Sequence, residues 1–157
     1  MLKVGDKAPE FTTATDAGKN VSLKDFKGKK VVLYFYPKDD TSGCTKEACS
    51  FRDHYRAVLD KGAVILGVSA DDVQSHERFK QKFDLPFPLL ADTDRSMIDA
   101  YDVWKEKNLY GKTFMGIERT TFIIDGRGII THIFPKVKVD GHTDEVLAAL
   151  AEPAPAG

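Results

Sequence analysis

VVLYFYPKDDTSGCTKEACSF, residues 31–51, runs from an apolar stretch through a proline-and-aspartate turn into a helical pattern. The stretch 31–36 has the length and composition of a strand buried on both faces. Pro37, followed by Lys38, Asp39 and Asp40, ends it, because proline has no N–H for the ladder and stiffens the loop. A helix from about Ser42 or Gly43 to Asp60 would put Cys44, Ala48, Phe51, Tyr55, Val58 and Leu59 on one largely apolar face. A second apolar run, Ala63 to Ser69, reads as another buried strand. Strand, helix, strand in that order implies a parallel pair.

Outward from this unit, a helix fits Val73 to Phe83 and a short strand fits the proline-rich stretch 86–90. Another helix fits Ser96 to Tyr101, and Lys105 to Gly116 reads as a Gly/Lys-rich loop. Thr120 to Ile124 and Gly128 to Phe134 read as strands joined by Asp125-Gly126-Arg127-Gly128, the turn chemistry of a hairpin. A last helix fits His142 to Leu150, and an extended segment lies near the N-terminus. This order is that of an α/β, thioredoxin-like fold with a mixed central sheet flanked by helices. Residues 1–150 are expected to form one domain, and the Ala/Pro/Gly-rich stretch 151–157 a flexible tail.

The 157 residues suffice for one domain with a real core, and 42% hydrophobic with 30% charged residues is the balance of a globular chain. A net charge of −1 gives no basic excess, so neither nucleic acid nor an anionic membrane is expected as a partner. No apolar run approaches the roughly 20 residues of a membrane span. Met1 to Asp6 has no apolar stretch of signal-peptide type, so a cytoplasmic location is expected. No metal or cofactor is expected.

The chain has two cysteines, Cys44 and Cys49. Five positions along a helix turn about 140° and rise about 7.5 Å, which separates the Cα atoms by about 8.6 Å. A disulfide needs less than about 7 Å and converging Cβ vectors. The intact helix therefore keeps the thiols apart, and only unwinding of its first turns lets them bond. Cys44 falls in the first turn, where free backbone N–H groups and the helix dipole favour an anion and hence the nucleophilic thiolate. Thr41 can place its hydroxyl beside the sulfur or cap the helix. A cysteine on an apolar face is usually only core, but burial explains Cys49, on the polar flank, less well. The pair at a strand-to-helix junction points to redox chemistry.

Pro37-x-x-x-Thr41-x-x-Cys44 resembles the active-site signature of the peroxiredoxins. The run 43–49 followed by Phe51-Arg52-Asp53 is similar to the bacterioferritin comigratory protein, or Q-type, branch. The likeness continues through 67–71, 87–92, 110–112 and 116–125, and spans about Val4 to Leu150. The resemblance implies a thiol-dependent peroxidase for hydrogen peroxide and organic hydroperoxides. In it Cys44 would be the peroxidatic cysteine, passing through a sulfenic acid. Cys49 would be the resolving cysteine of an intramolecular Cys44–Cys49 disulfide, and thioredoxin or a similar dithiol would reduce that bond. Arg119 would stabilise the thiolate and the charge developing on the peroxide, and Thr41 would hydrogen-bond the sulfur and peroxide. Glu47 would either orient Arg119 or sit on the surface. Ser42 departs from the proline of many relatives, which would ease unwinding of the first turn or merely cap it. A resolving cysteine in the same chain removes the need for a dimer, and a monomer is expected.

Three other readings compete. A general thiol–disulfide oxidoreductase would share the fold but usually carries Cys-x-x-Cys. A copper-binding module would use thiolates one helical turn apart. A non-enzymatic peroxide sensor would have the same site without turnover. His54, His76, His132 and His142 are scattered without ligand spacing and are expected to be structural, as is Trp104. Asp39 and Asp40 read first as turn formers, with negative charge that opposes a thiolate at Cys44.

Overall fold

The computed structural model of the chain describes residues 2–152; the rest of the expected tail lies outside them. In chain order the elements are β1 (Thr12–Ala14), β2 (Asn20–Ser22), β3 (Lys30–Phe35), α1 (Ser42–Asp53), α2 (Tyr55–Asp60), β4 (Ala63–Ser69), α3 (Val73–Phe83), β5 (Leu89–Ala91), α4 (Ser96–Ala100), β6 (Trp104–Leu109), β7 (Lys112–Ile117), β8 (Thr120–Ile124), β9 (Ile130–Phe134) and α5 (His142–Leu150). The main sheet has the order β5-β4-β3-β8-β9. Strands β3, β4 and β5 are parallel, whereas β8 runs antiparallel to β3 and β9 antiparallel to β8. It is the mixed sheet with helices that the order of elements implied.

Alternation along β3 sets the layers, because successive side chains leave a strand on opposite faces. Val31, Leu33 and Phe35 enter one core with Met97, Ile98, Tyr101 and Phe122. Val32, Tyr34 and, just past the strand, Tyr36 enter the other, with Cys44, Ala48, Phe51, Val58, Phe79 and Val146. Both faces of β3 are thus dry, which is why its sequence is almost uniformly apolar. Cys44 belongs to the second core, so the helix that carries it is held by its own apolar stripe.

Three expectations are corrected. The helix from Ser42 is not continuous to Asp60 but breaks at His54, where φ is −109° and ψ 7°. There the Ser50 carbonyl lies 3.2 Å from the His54 backbone N–H and 2.8 Å from its imidazole Nδ1. The one carbonyl thus serves both the backbone and the side chain of His54 at the break. Leu59, placed on the apolar face, is 44% exposed, while its neighbour Val58 is the residue of that turn that enters the core. The stretch 105–116 is not a loop but most of the hairpin β6–β7, which pairs Lys107 with Phe114 and Leu109 with Lys112. Tyr110 and Gly111 both have positive φ, 53° and 77°, at its tip. Two such residues make the tight turn that matches strand twist. The hairpin's charged, exposed side chains hide its period of two.

Phe51 is fully buried, with its ring 4.8 Å from that of Tyr34 and 5.9 Å from that of His142. Truncating it removes the contact that seats α1 on the sheet. Phe51→Ala is expected to cost about 3–5 kcal/mol, read as a lower midpoint in urea unfolding at unchanged slope.

Candidate active site

Cys44 sits in the first turn of α1 and is 2% exposed. Both cysteines are free thiols, Cys44 buried and Cys49 half-buried. Strand β3 aims the chain at this point, and Pro37 follows Tyr36, the buried residue just past the strand. Strand β8 lies antiparallel to β3, with Phe35 opposite Thr120. That register brings the residue just before β8, Arg119, alongside the start of α1. Arg119 Nη2 donates to Cys44 Sγ at 3.4 Å, and Nη1 donates to Glu47 Oε1 at 2.7 Å. Charge-assisted contacts of this kind are the strong ones, and a rigid guanidinium fork can serve two acceptors at once.

Glu47 is 2% exposed and pairs with Arg119. The surface option for Glu47 is therefore wrong and the orienting option fits. Burial pushes its carboxyl up to about 7, against the opposing pull of Arg119. Its second oxygen, Oε2, and the Tyr34 hydroxyl are, among the described residues, the buried side-chain oxygens with no hydrogen-bond partner. Burial would lower the Arg119 guanidinium, but the charges of Glu47 and Cys44 and its hydrogen bonds to both outweigh this and raise it further. Arg119 is thus a permanent positive charge against the sulfur.

Thr41 departs from expectation. Its hydroxyl donates to the Lys38 carbonyl at 2.9 Å, and its side chain makes no cap hydrogen bond. It starts α1 through its backbone, whose carbonyl accepts from Thr45 N–H at 2.8 Å. Gly43 matters for a different reason. A Cβ built there would lie 3.2 Å from Arg119 Nη2, so the bare backbone leaves room for the guanidinium. Lys107, from the hairpin that reads as a loop in sequence, is half-buried and adds a second cation. Its ammonium is pushed down by burial and by Arg119, while Cys44 and Glu118 pull the other way. No sequence signal marks Lys107, because only the hairpin register carries it toward Arg119.

Asp39 and the histidines have defined places. Asp39 is buried and paired with His76 at 2.6 Å, so its charge is compensated locally rather than turned on Cys44. Asp40 adopts φ 56° and pairs with Lys82 at 2.7 Å. His142 is buried against Thr121 Oγ1 at 2.8 Å, and His132 faces Glu152 at 2.8 Å. Trp104 is half-buried under the Arg95 guanidinium at 4.3 Å, a packing role.

A family model described as AhpC/TSA matches residues 4–133. The chain belongs to the AhpC/TSA family. Its relatives place it with the peroxiredoxins of the bacterioferritin comigratory protein, or Q-type, branch. It is 48% identical to peroxiredoxin Bcp of Bacillus subtilis over 96% of both chains. It is 43% identical to peroxiredoxin Bcp of Escherichia coli over 98% of both. Among solved structures, a PrxQ variant of Xylella fastidiosa superposes with TM-score 0.91 at 36% identity over 96% of both chains. The Xanthomonas campestris bacterioferritin comigratory protein, solved in work on its alkyl peroxide reduction, superposes with TM-score 0.85 at 44% identity over 89% of both. The thioredoxin-like fold and the enzyme class of this peroxiredoxin rest on these relatives as well as on its own residues.

Two outcomes follow from the geometry. Gly43→Ala should shift Arg119 by a few tenths of an ångström and slow the first oxidation of Cys44 roughly tenfold. That is short of the roughly 10²-fold that a 1 Å misplacement costs, and stopped-flow peroxide kinetics would measure it. Glu47 holds its proton more tightly in the folded chain, up to about 7, than at the ordinary 4.5. Its contribution to stability is full below pH 4.5 and is lost as pH rises through 7. Glu47→Gln should remove that loss, up to about 3 kcal/mol at about 1.4 kcal/mol per pH unit. Unfolding midpoints compared at acidic and mildly alkaline pH check it.

Proposed function

We propose that this peroxiredoxin reduces hydrogen peroxide and organic hydroperoxides through Cys44, with Cys49 resolving the product. The observation that carries the reading is the 3.4 Å contact between Arg119 Nη2 and the sulfur of a free, buried Cys44 at a helix start. The guanidinium and the N–H groups of the first turn favour negative charge on that sulfur. The thiolate attacks the nearer peroxide oxygen, and the O–O bond breaks as the S–O bond forms. Cys44 becomes a sulfenic acid, and the departing oxygen takes a proton to leave as water or an alcohol. The same cation stabilises charge on that leaving oxygen.

Cys49 then attacks the sulfenic sulfur, and water leaves as the Cys44–Cys49 disulfide forms. Both thiols lie on α1, on different faces, so this step requires its first turns to unwind. A dithiol reductant of the thioredoxin type restores both thiols by exchange and is itself oxidised to a disulfide. On this reading the chain acts as a monomer in the cytoplasm, with residues 1–150 as its single domain and no metal or cofactor in the cycle. Resolution in cis supports the monomer. Among the described residues no helix is long and apolar enough to cross a membrane.

Thiol counting with peptide mapping, before and after one equivalent of hydrogen peroxide, tests the cycle. Both thiols should disappear into one intrachain disulfide. Cys44→Ser should abolish peroxide reduction, and appreciable residual turnover would sink the assignment. Cys49→Ser should keep one stoichiometric oxidation of Cys44 and lose thioredoxin-supported cycling. Full-rate cycling in that variant would remove Cys49 from the resolving role. Absence of turnover with an intact disulfide would leave a peroxide sensor instead.

A further inference from the structure

The loop that delivers Cys44, residues 37–41, is tied down by a buried polar cluster that the peroxidase chemistry does not use. Asp39 is its hub. Its carboxylate accepts from the Tyr36 hydroxyl at 2.6 Å and the Ser75 hydroxyl at 2.8 Å, and lies 2.6 Å from His76 Nδ1. Its backbone N–H donates to Asp71 Oδ2 at 2.8 Å, an oxygen that also accepts from the Ser69 hydroxyl at 2.7 Å. The side chains of His76 and Asp39 are 0% and 4% exposed. The next residue, Asp40, is held by Lys82. Ser75, His76 and Lys82 all lie on α3, so α3 grips the loop at two consecutive aspartates.

The ring of His76 faces an acceptor at each nitrogen. Nδ1 meets the Asp39 carboxylate, and Nε2 meets the Leu90 carbonyl at 2.9 Å. A carbonyl cannot donate, and the Asp39 carboxylate accepts from two hydroxyls and faces the ring as a further acceptor. Both ring nitrogens must then donate, which only the imidazolium can do. A buried carboxylate and imidazolium at this distance compensate each other, whereas either alone would be costly.

We propose that Asp39 and His76 are positioning residues for peroxide reduction, a buried carboxylate–imidazolium clamp that fixes the loop before α1 so that its first turn presents Cys44 to Arg119. The inference rests on Cys44 being the nucleophile. The clamp holds the chain up to Asp40 on α3, which leaves the first turns of α1 as the part free to unwind for the disulfide. It also gives the site a pH dependence. The groups facing His76 are Asp39 from the loop, the Tyr36 hydroxyl at 3.5 Å, Asp71 after β4 and the Leu90 carbonyl of β5. Lys80, one turn along α3, is occupied by Asp16 at 3.0 Å. Burial alone would lower His76, but the hydrogen bond and charge of Asp39, the Leu90 carbonyl and the charge of Asp71 reverse this and raise it. The clamp is therefore complete below the ordinary imidazole range and is lost as pH rises through the raised value. A neutral imidazole can donate to only one of its two acceptors.

Two readouts test this in the full reduced chain. Nitrogen-15 NMR of the His76 ring at pH 6 should show both nitrogens protonated; an unprotonated Nδ1 overturns the clamp. Stopped-flow oxidation of Cys44 by hydrogen peroxide between pH 6 and 10 supplies the functional side. The wild-type rate should fall on an alkaline limb that tracks the NMR titration of His76. His76→Asn keeps an amide donor to Asp39 that does not titrate, so its rate should stay within a few-fold of the neutral wild-type value and lose the limb. His76→Ala should be about tenfold slower throughout. A limb that persists in His76→Asn, or a wild-type rate in His76→Ala, overturns the positioning role. Should the alanine variant fail to fold, the asparagine variant decides alone. Failure here with Cys44 still oxidised stoichiometrically leaves the peroxidase reading intact, whereas failure of that reading appears as thiols that survive peroxide.

Discussion

A guanidinium can press on a thiol sulfur in a nearly dry site only if something else holds it there and shares the cost of its charge. In this peroxiredoxin that partner is Glu47, one helical turn after Cys44, which accepts from Arg119 at 2.7 Å while the other arm reaches the sulfur at 3.4 Å. Breaking one member of such a buried pair leaves an uncompensated charge, so the two stand or fall together. The remaining features of the site serve this contact. Gly43 leaves it room, the β3–β8 register supplies Arg119, and the apolar stripe of α1 fixes the height of the sulfur.

In the proposed cycle the same contact sets a conflict. An ordered first turn is needed to keep Cys44 against Arg119, and a disordered one is needed for Cys49 to reach it. The chain resolves this by grading stability along a short segment. Tyr36 and Asp39 are buried in hydrogen-bonded positions, whereas Thr41 and Ser42 are exposed, with the Thr41 side chain turned back to Lys38. Segments with few buried contacts open locally at little cost while their neighbours hold. Ser42, in place of a stiffening proline, is consistent with a helix start that opens readily.

The long-period features of the fold are legible in the amino-acid sequence. Strands β3 and β4 show as apolar runs, α3 and α5 begin and end where their sequences suggest, and the Cys44-to-Cys49 spacing already excludes a bond within an intact helix. What stays hidden there depends on distant partners. The β6–β7 hairpin has charged residues on exposed positions, so no alternation announces it. The break at His54 coincides with an imidazole and a backbone N–H sharing one carbonyl. Asp39 reads as a turn residue in an acidic pair, and nothing local tells that Ser75 and His76, more than thirty positions on, will neutralise it.

Glu47 shows where the division falls. On the helix its position is fixed by sequence alone: three residues after Cys44, it lies on nearly the same side as the cysteine. Whether that side meets solvent or a cation depends on what the sheet brings across from residue 119, a pairing 72 positions away along the chain. Local sequence determined the strand, the turn, the helix start and the separation of the thiols, because backbone preference and apolar periodicity act over a few residues. The tertiary structure alone decided which charges face the sulfur, because electrostatic partners are chosen by strand register and burial, which no short stretch of sequence contains.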